Sequence, residues 1–147
     1  MEKPGNNCYL DANILIYSLQ KDSPFHQKAK NLIRTIRTSQ LSPTISPLCL
    51  DEFLYNFPGS QTQKFLAFKK ILKLPNLNII NPPTDPKGQI KILKITKKFR
   101  LGPRDSYHIL TMKYNKIKYF ATFDHDFDLV FSTQTLKQFI YTPPVFL

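Results

Sequence analysis

Residues 9–17 read YLDANILIY, and the reading of this stretch decides the fold. Tyr9 and Leu10 have strand character, Asp11 places a carboxylate directly behind them, and Ala12, Asn13 and the apolar run that follows enter a helix. An acid thus stands at the carboxyl end of a first strand. In open α/β sheets ligands bind in the crevice outside the strand ends. Taken alone, Asp11 also fits a helix N-cap, because Asp and Asn side chains accept a bond from an otherwise unpaired backbone N–H. Further carboxylates in the same setting weigh against capping alone.

The rest of the chain alternates strands with helices. Ser23 and Pro24 predict an N-cap and first helical residue, followed by an amphipathic helix from Phe25 to Arg37 with Phe25, Ala29, Leu32, Ile33 and Ile36 on one stripe. A second strand is expected around Thr44 and Ile45, then a helix capped by Ser46 with Pro47 first. On it Glu52 lies among apolar neighbours, so it calls for a partner, a metal or one of the many lysines. Ser60 opens another helix with apolar Phe65, Leu66, Phe68, Ile71 and Leu72. Leu77–Ile80 reads as a third strand, Gln89–Arg100 as a long helix, and residues from Arg104 to about Asn115 as the next, with Asp105 in its first turn and His108, Ile109 and Met112 inward. Lys118–Phe123 is a fourth strand running into Asp124, and Thr135–Thr142 a last edge strand. Such alternation predicts a parallel sheet covered on both faces.

A chain of 147 residues is a one-domain length, able to bury roughly two thirds of its unfolded surface. We therefore expect a single domain over residues 1–147. No run of about 18 apolar residues is present to span a bilayer, and MEKPGNN is not a signal-type segment. The expected location is cytoplasmic, without a membrane partner. Cys8 and Cys49 then read as buried thiols rather than a disulfide, and no zinc-type Cys/His spacing occurs. The 21 Lys and Arg against 10 Asp and Glu give a net charge of +11, which points to an anionic partner such as nucleic acid. Charge is densest between Gln89 and Arg100, where Lys94, Lys97, Lys98 and Arg100 form a candidate phosphate-contacting surface or simply a solvated face.

Four acids, Asp11, Glu52, Asp105 and Asp124, come from four elements, each near a strand end or a helix beside one. If they converge they repel, at roughly 4 kcal/mol per pair about 4 Å apart with an effective dielectric near 20. Such a cluster calls for a cation or for raised pKa values. Oxygen ligands without Cys or His fit Mg²⁺ or Mn²⁺. An ion of that kind activates water and stabilises the leaving oxygen in phosphodiester hydrolysis. His108 reads as a packed, hydrogen-bonded histidine and His125 as turn structure. Arg104 either clamps phosphate or neutralises Asp105. The aromatic residues read as core rather than as base-stacking platforms.

In this order and spacing the motifs resemble the PIN-domain ribonucleases, which include the VapC-like toxins of type II toxin–antitoxin pairs. YLDANILIY is similar to that family's first strand, LCLDEFLYNF to the helix carrying its Glu, RDSYHILTMKY to the helix carrying its third acid, and ATFDHDF to its Thr-x-Asp pattern. The resemblance covers nearly the whole chain. It implies catalytic and metal-ligating roles for Asp11, Glu52, Asp105 and Asp124, supporting roles for Asn13 and Thr122, and an extra acid in Asp126. It also implies a three-layer α/β/α fold with a central, mainly parallel five-stranded sheet, and Mg²⁺-dependent hydrolysis of single-stranded or structured RNA. The partners it implies are a homodimer mate and a small antitoxin. Ala12, where Thr or Ser is common, and the bulky Tyr107 depart from the pattern without removing a carboxylate. The rival readings are a non-catalytic RNA-binding or scaffold module and a housekeeping RNA-processing nuclease.

Overall fold

Every residue of the first strand is buried, which requires cover on both faces of the sheet and explains why its sequence lacks polar alternation. The computed structural model describes residues 6–140. Tyr141 and Thr142 of the expected last strand, and the tail beyond them, lie outside these residues. Strand β1 (Asn7–Leu10) leads through Asp11 into α1 (Ala12–Leu19), then α2 (His26–Thr38), β2 (Ser42–Ile45), α3 (Pro47–Asn56), α4 (Gln61–Leu72) and β3 (Asn78–Ile79). The chain continues through α5 (Pro86–Gln89), α6 (Ile92–Phe99), α7 (Pro103–Tyr114) and β4 (Tyr119–Ala121). A 3-10 turn at His125–Phe127, α8 (Asp128–Ser132) and β5 (Lys137–Gln138) complete it.

The strands form one five-stranded sheet in the order β3-β2-β1-β4-β5, and each pairing is parallel. Helices on the two faces give the α/β/α layering. Strand order reverses beside β1, so the crevice between the ends of β1 and β4 is the topological switch point at which such sheets bind ligands. Leu10 is in register with Ala121; the residues that follow these two are Asp11 and Thr122.

Polar groups inside the sheet are paired. Asn7 accepts from Thr44 Oγ1 at 3.0 Å and from Asn78 Nδ2 at 3.4 Å, bridging three neighbouring strands. Ser46 caps α3 by accepting from Cys49 N, with Pro47 following, and its hydroxyl also meets Tyr9 Oη at 2.7 Å. Ser46→Ala is therefore expected to lower stability by about 1–2 kcal/mol, the loss of a cap plus a buried hydrogen bond, measured by urea unfolding. A change within experimental error would show that neither contact matters.

Several expectations need correction. Helix α2 begins at His26, because Ser23 Oγ accepts from Phe25 N and holds Pro24 and Phe25 in a turn. Phe25 is 44% exposed, while Ala29, Leu32, Ile33 and Ile36 are buried as expected. On α4 only Ala67 and Ile71 are buried, and Phe65, Leu66 and Leu72 are exposed, since a helix with apolar residues on more than one face packs only one of them. The expected long helix at Gln89–Arg100 is two pieces, α5 starting earlier behind the cap at Asp85 and α6 lying after a break at Ile90 and Lys91. Gly88 is buried where a Cβ would lie 2.5 Å from the Pro83 side chain, so this close approach admits only glycine. Leu93, an apolar residue of that expected helix, is exposed. Strands β3, β4 and β5 are shorter than expected. Both cysteines are free and buried. Among the described residues no helix is long and apolar enough to cross a membrane.

Candidate metal centre

Asp11 occupies the N-cap position of α1 with extended backbone, but its side chain caps nothing. Its Oδ2 instead accepts from Thr122 Oγ1 at 2.7 Å and from Asn13 Nδ2 at 3.3 Å. Asn13 Oδ1 in turn accepts from Phe123 N at 3.3 Å, and Thr122 Oγ1 accepts from Asp124 N at 3.0 Å. The segments behind β1 and β4 are thus stitched into one hydrogen-bonded unit that aims Asp11 and Asp124 at a common crevice. Asp124 Oδ1 also accepts from Asp126 N at 2.9 Å and starts the 3-10 turn.

Asp105 enters from the first turn of α7, where the helix dipole favours negative charge. Among the described residues its carboxylate accepts no hydrogen bond and pairs with no cation, Arg104 included, so the neutralising role offered for Arg104 is not realised. Glu52 projects from α3 and meets His108 Nε2 rather than a lysine. Asp11, Asn13, Glu52, Asp105 and Asp124 line one cleft of about 520 Å³ together with Tyr17, Gln20 and others, and among the described residues no Lys or Arg lines it. Within it Asp11, Glu52 and His108 have potential ligand atoms within 4.8 Å of one another, as do Asp105, Asp124 and Asp126.

The electrostatics follow from this crowding. Burial raises the pKa of Asp11 above the ordinary carboxylate range, opposed by His108 and the Thr122 hydrogen bond and reinforced by Glu52. Burial first, then the charges of Asp124 and Asp11, push Asp105 up to about 6. Among the described residues the only acid–base pairs are His108–Glu52 and the exposed His125–Asp128. The lysines and arginines leave the cleft's charge uncompensated.

Beneath the cleft lies a network that the sequence reading captured only in part. His108 is buried as expected, and its Nδ1 meets Tyr9 Oη at 2.6 Å. The same hydroxyl pairs with the Ser46 hydroxyl at 2.7 Å and accepts from the Cys49 thiol at 3.1 Å. With both ring nitrogens engaged, His108 has no lone pair left for a metal. The available signal was Tyr9 itself, since a phenol in a wholly buried strand needs a partner. The basic candidates are not brought to the cleft. Lys94, Lys97, Lys98 and Arg100 lie exposed on and after α6, and Lys94 lines a separate groove with Lys87, Lys91 and Lys113. Arg104 borders an apolar groove with Pro47, Leu48 and Tyr107.

The donor set fits a hard divalent cation. The cleft gathers four carboxylates, and among the described residues Asp105 has no hydrogen-bond donor and no basic side chain lines the space.

The PIN-domain family profile matches residues 8–130. Over 137 residues the chain is 31% identical to Ribonuclease VapC2 of Methanocaldococcus jannaschii, covering 85% of this chain and 89% of that one. Among solved structures it is similar to Mycobacterium tuberculosis VapC20, described as a Sarcin-Ricin loop cleaving toxin, with a TM-score of 0.65, 13% identity and coverage of 84% and 95%. It is also similar to VapBC2 from Rickettsia felis, solved bound to a DNA fragment from their promoter, with a TM-score of 0.63, 16% identity and coverage of 82% and 90%. At these identities the two structures speak for the fold.

Proposed function

This chain belongs to the PIN-domain family, and from that premise we propose that it is a divalent-metal-dependent endoribonuclease and the toxin of a toxin–antitoxin pair. The observation that carries the reading is the convergence of Asp11, Glu52, Asp105 and Asp124 from four elements on one cleft, with no basic residue in its lining among the described residues. Carboxylates gathered in such a place repel one another, and a shared cation relieves that repulsion.

Asp11, Glu52, Asp105 and Asp124 would hold Mg²⁺ or Mn²⁺, with Asp126 within reach beside Asp105 and Asp124. Bound there, the ion supplies the Lewis acidity that makes water nucleophilic near neutral pH and offsets charge on the scissile phosphate. Thr122 and Asn13 hold Asp11 in its orientation, so it enters the reaction without a rotamer search. His108 holds Glu52 from below. The net charge of +11 draws the polyanion towards the protein, and exposed Lys94, Lys97, Lys98 and Arg100 are the residues we assign to its phosphates. A second copy of the chain and a small antitoxin are the protein partners of this reading. Exposed Tyr55, Phe65 and Leu66 supply apolar area for one of them. Support for the antitoxin comes from the solved toxin–antitoxin complexes that share the fold.

The test is cleavage of a labelled single-stranded RNA by purified protein in Mg²⁺, in Mn²⁺ and in EDTA, beside the Asp11→Asn variant. Cutting is expected in either metal, none in EDTA, and at least a hundredfold less in the variant. Cutting that persists in EDTA, or RNA binding with no cutting in any condition, overturns the metal-dependent nuclease in favour of a binding module.

A further inference from the structure

Three aromatic rings stand together, and one of them, Tyr17, lines the acid cleft. The ring centroids of Tyr17 and Phe25 are 5.1 Å apart, those of Tyr17 and Phe123 6.0 Å, and those of Phe25 and Phe123 5.8 Å. Their planes differ by only 37°, 30° and 32°. Phe25 is the outermost of the three at 44% exposed, in the turn held by Ser23 ahead of α2.

The cluster is continuous with the cleft. Tyr17 lines the cleft together with the acids. Phe123 directly precedes Asp124, and its N–H is held by Asn13, which also contacts Asp11. Lys28 Nζ lies over the Phe123 ring, 5.3 Å from its centroid, so the cluster carries a cation on one ring while Phe25 is its exposed member. An acid cleft for a phosphate, an aromatic face and a neighbouring cation match a nucleotide in charge and in shape.

We propose that Phe25, backed by Tyr17 and Phe123, is a stacking platform for an unpaired RNA base flanking the phosphate held in the acid cleft. This rests on the ribonuclease reading and reverses the expectation that the aromatic residues form no base-stacking platform. Stacking is sequence-tolerant, because every base has a π-face, so the platform selects unpaired over paired RNA rather than one base over another. Lys28 contacts the backbone of the stacked nucleotide.

The probe is a short oligouridylate with one central 2-aminopurine, compared with the same RNA carrying an abasic site there. Binding is measured in Mg²⁺ by anisotropy and 2-aminopurine quenching, in an Asp105→Asn background that suppresses cutting. Phe25→Ala is expected to weaken binding of the base-bearing RNA by about tenfold, the scale of one base–aromatic stack, and to abolish quenching. It should leave the abasic RNA unchanged, and Phe25→Trp should restore both signals. Equal weakening of both RNAs, or no weakening of either, overturns the platform while RNA binding itself persists. If neither RNA binds and wild-type protein cuts none, the ribonuclease reading fails and the platform with it.

Discussion

Asp105→Asn is expected to abolish RNA cleavage and, in the metal-free protein above neutral pH, to stabilise the fold. Loss of one carboxylate from a shared cation site removes several kcal/mol of transition-state stabilisation, so cleavage should drop by roughly a thousandfold. The stability effect runs the other way. Asp105 is raised from 3.8 to about 6 by burial and by Asp124 and Asp11. An acid with a folded-state pKa above its unfolded value binds its proton more tightly when folded. Its contribution to stability is therefore complete below about pH 4 and is lost as pH rises through 6. Asparagine resembles the protonated side chain and cannot lose it. Since Asp105 is only half-buried, solvent screening reduces the nominal gain to roughly 1–2 kcal/mol at pH 8, a few degrees in Tm. Melting scans of wild type and variant in EDTA should therefore differ at pH 8 and converge at pH 4, and Mg²⁺ should stabilise the wild type more than the variant. A variant less stable than wild type at pH 8, or as active, would falsify this account.

His108→Ala should be the most destabilising single change near the site, at about 3–4 kcal/mol by urea unfolding. It opens a cavity in a buried position and strips Glu52 of its partner, and breaking a buried pair costs more than the pair itself contributes. Charge on this imidazole is opposed by burial, yet contacts with Cys49 and Glu52 and the field of Asp11 outweigh it and hold the pKa well above the ordinary histidine value. A histidine raised in this way stabilises the fold fully below its unfolded pKa of about 6.5. That stability is lost as pH rises through the higher folded value. The deficit of His108→Gln relative to wild type should accordingly shrink on the alkaline side, in urea titrations at successive pH values. A deficit that is flat or grows with pH points to packing alone.

The sequence by itself determined the layered parallel fold, through strand–helix alternation, and the four candidate acids, through their places at element ends. Strand ends and capped helices such as Ser46–Pro47 are local features, written in nearest neighbours and therefore readable. Only the tertiary structure decided which apolar residues are covered. The side chains of Phe25, Phe65 and Leu93 obey helical spacing like any core residue, and whether another element lies over them depends on parts of the chain far away. It likewise decided that Asp11 turns to Thr122 rather than capping α1, that Glu52 finds His108 instead of a lysine, and that Tyr9, Ser46 and Cys49 close a network below them. These partners stand 37 to 111 residues apart. Charge neutralisation and hydrogen bonding act over a few ångströms of space regardless of that separation, and only the folded sheet sets those distances.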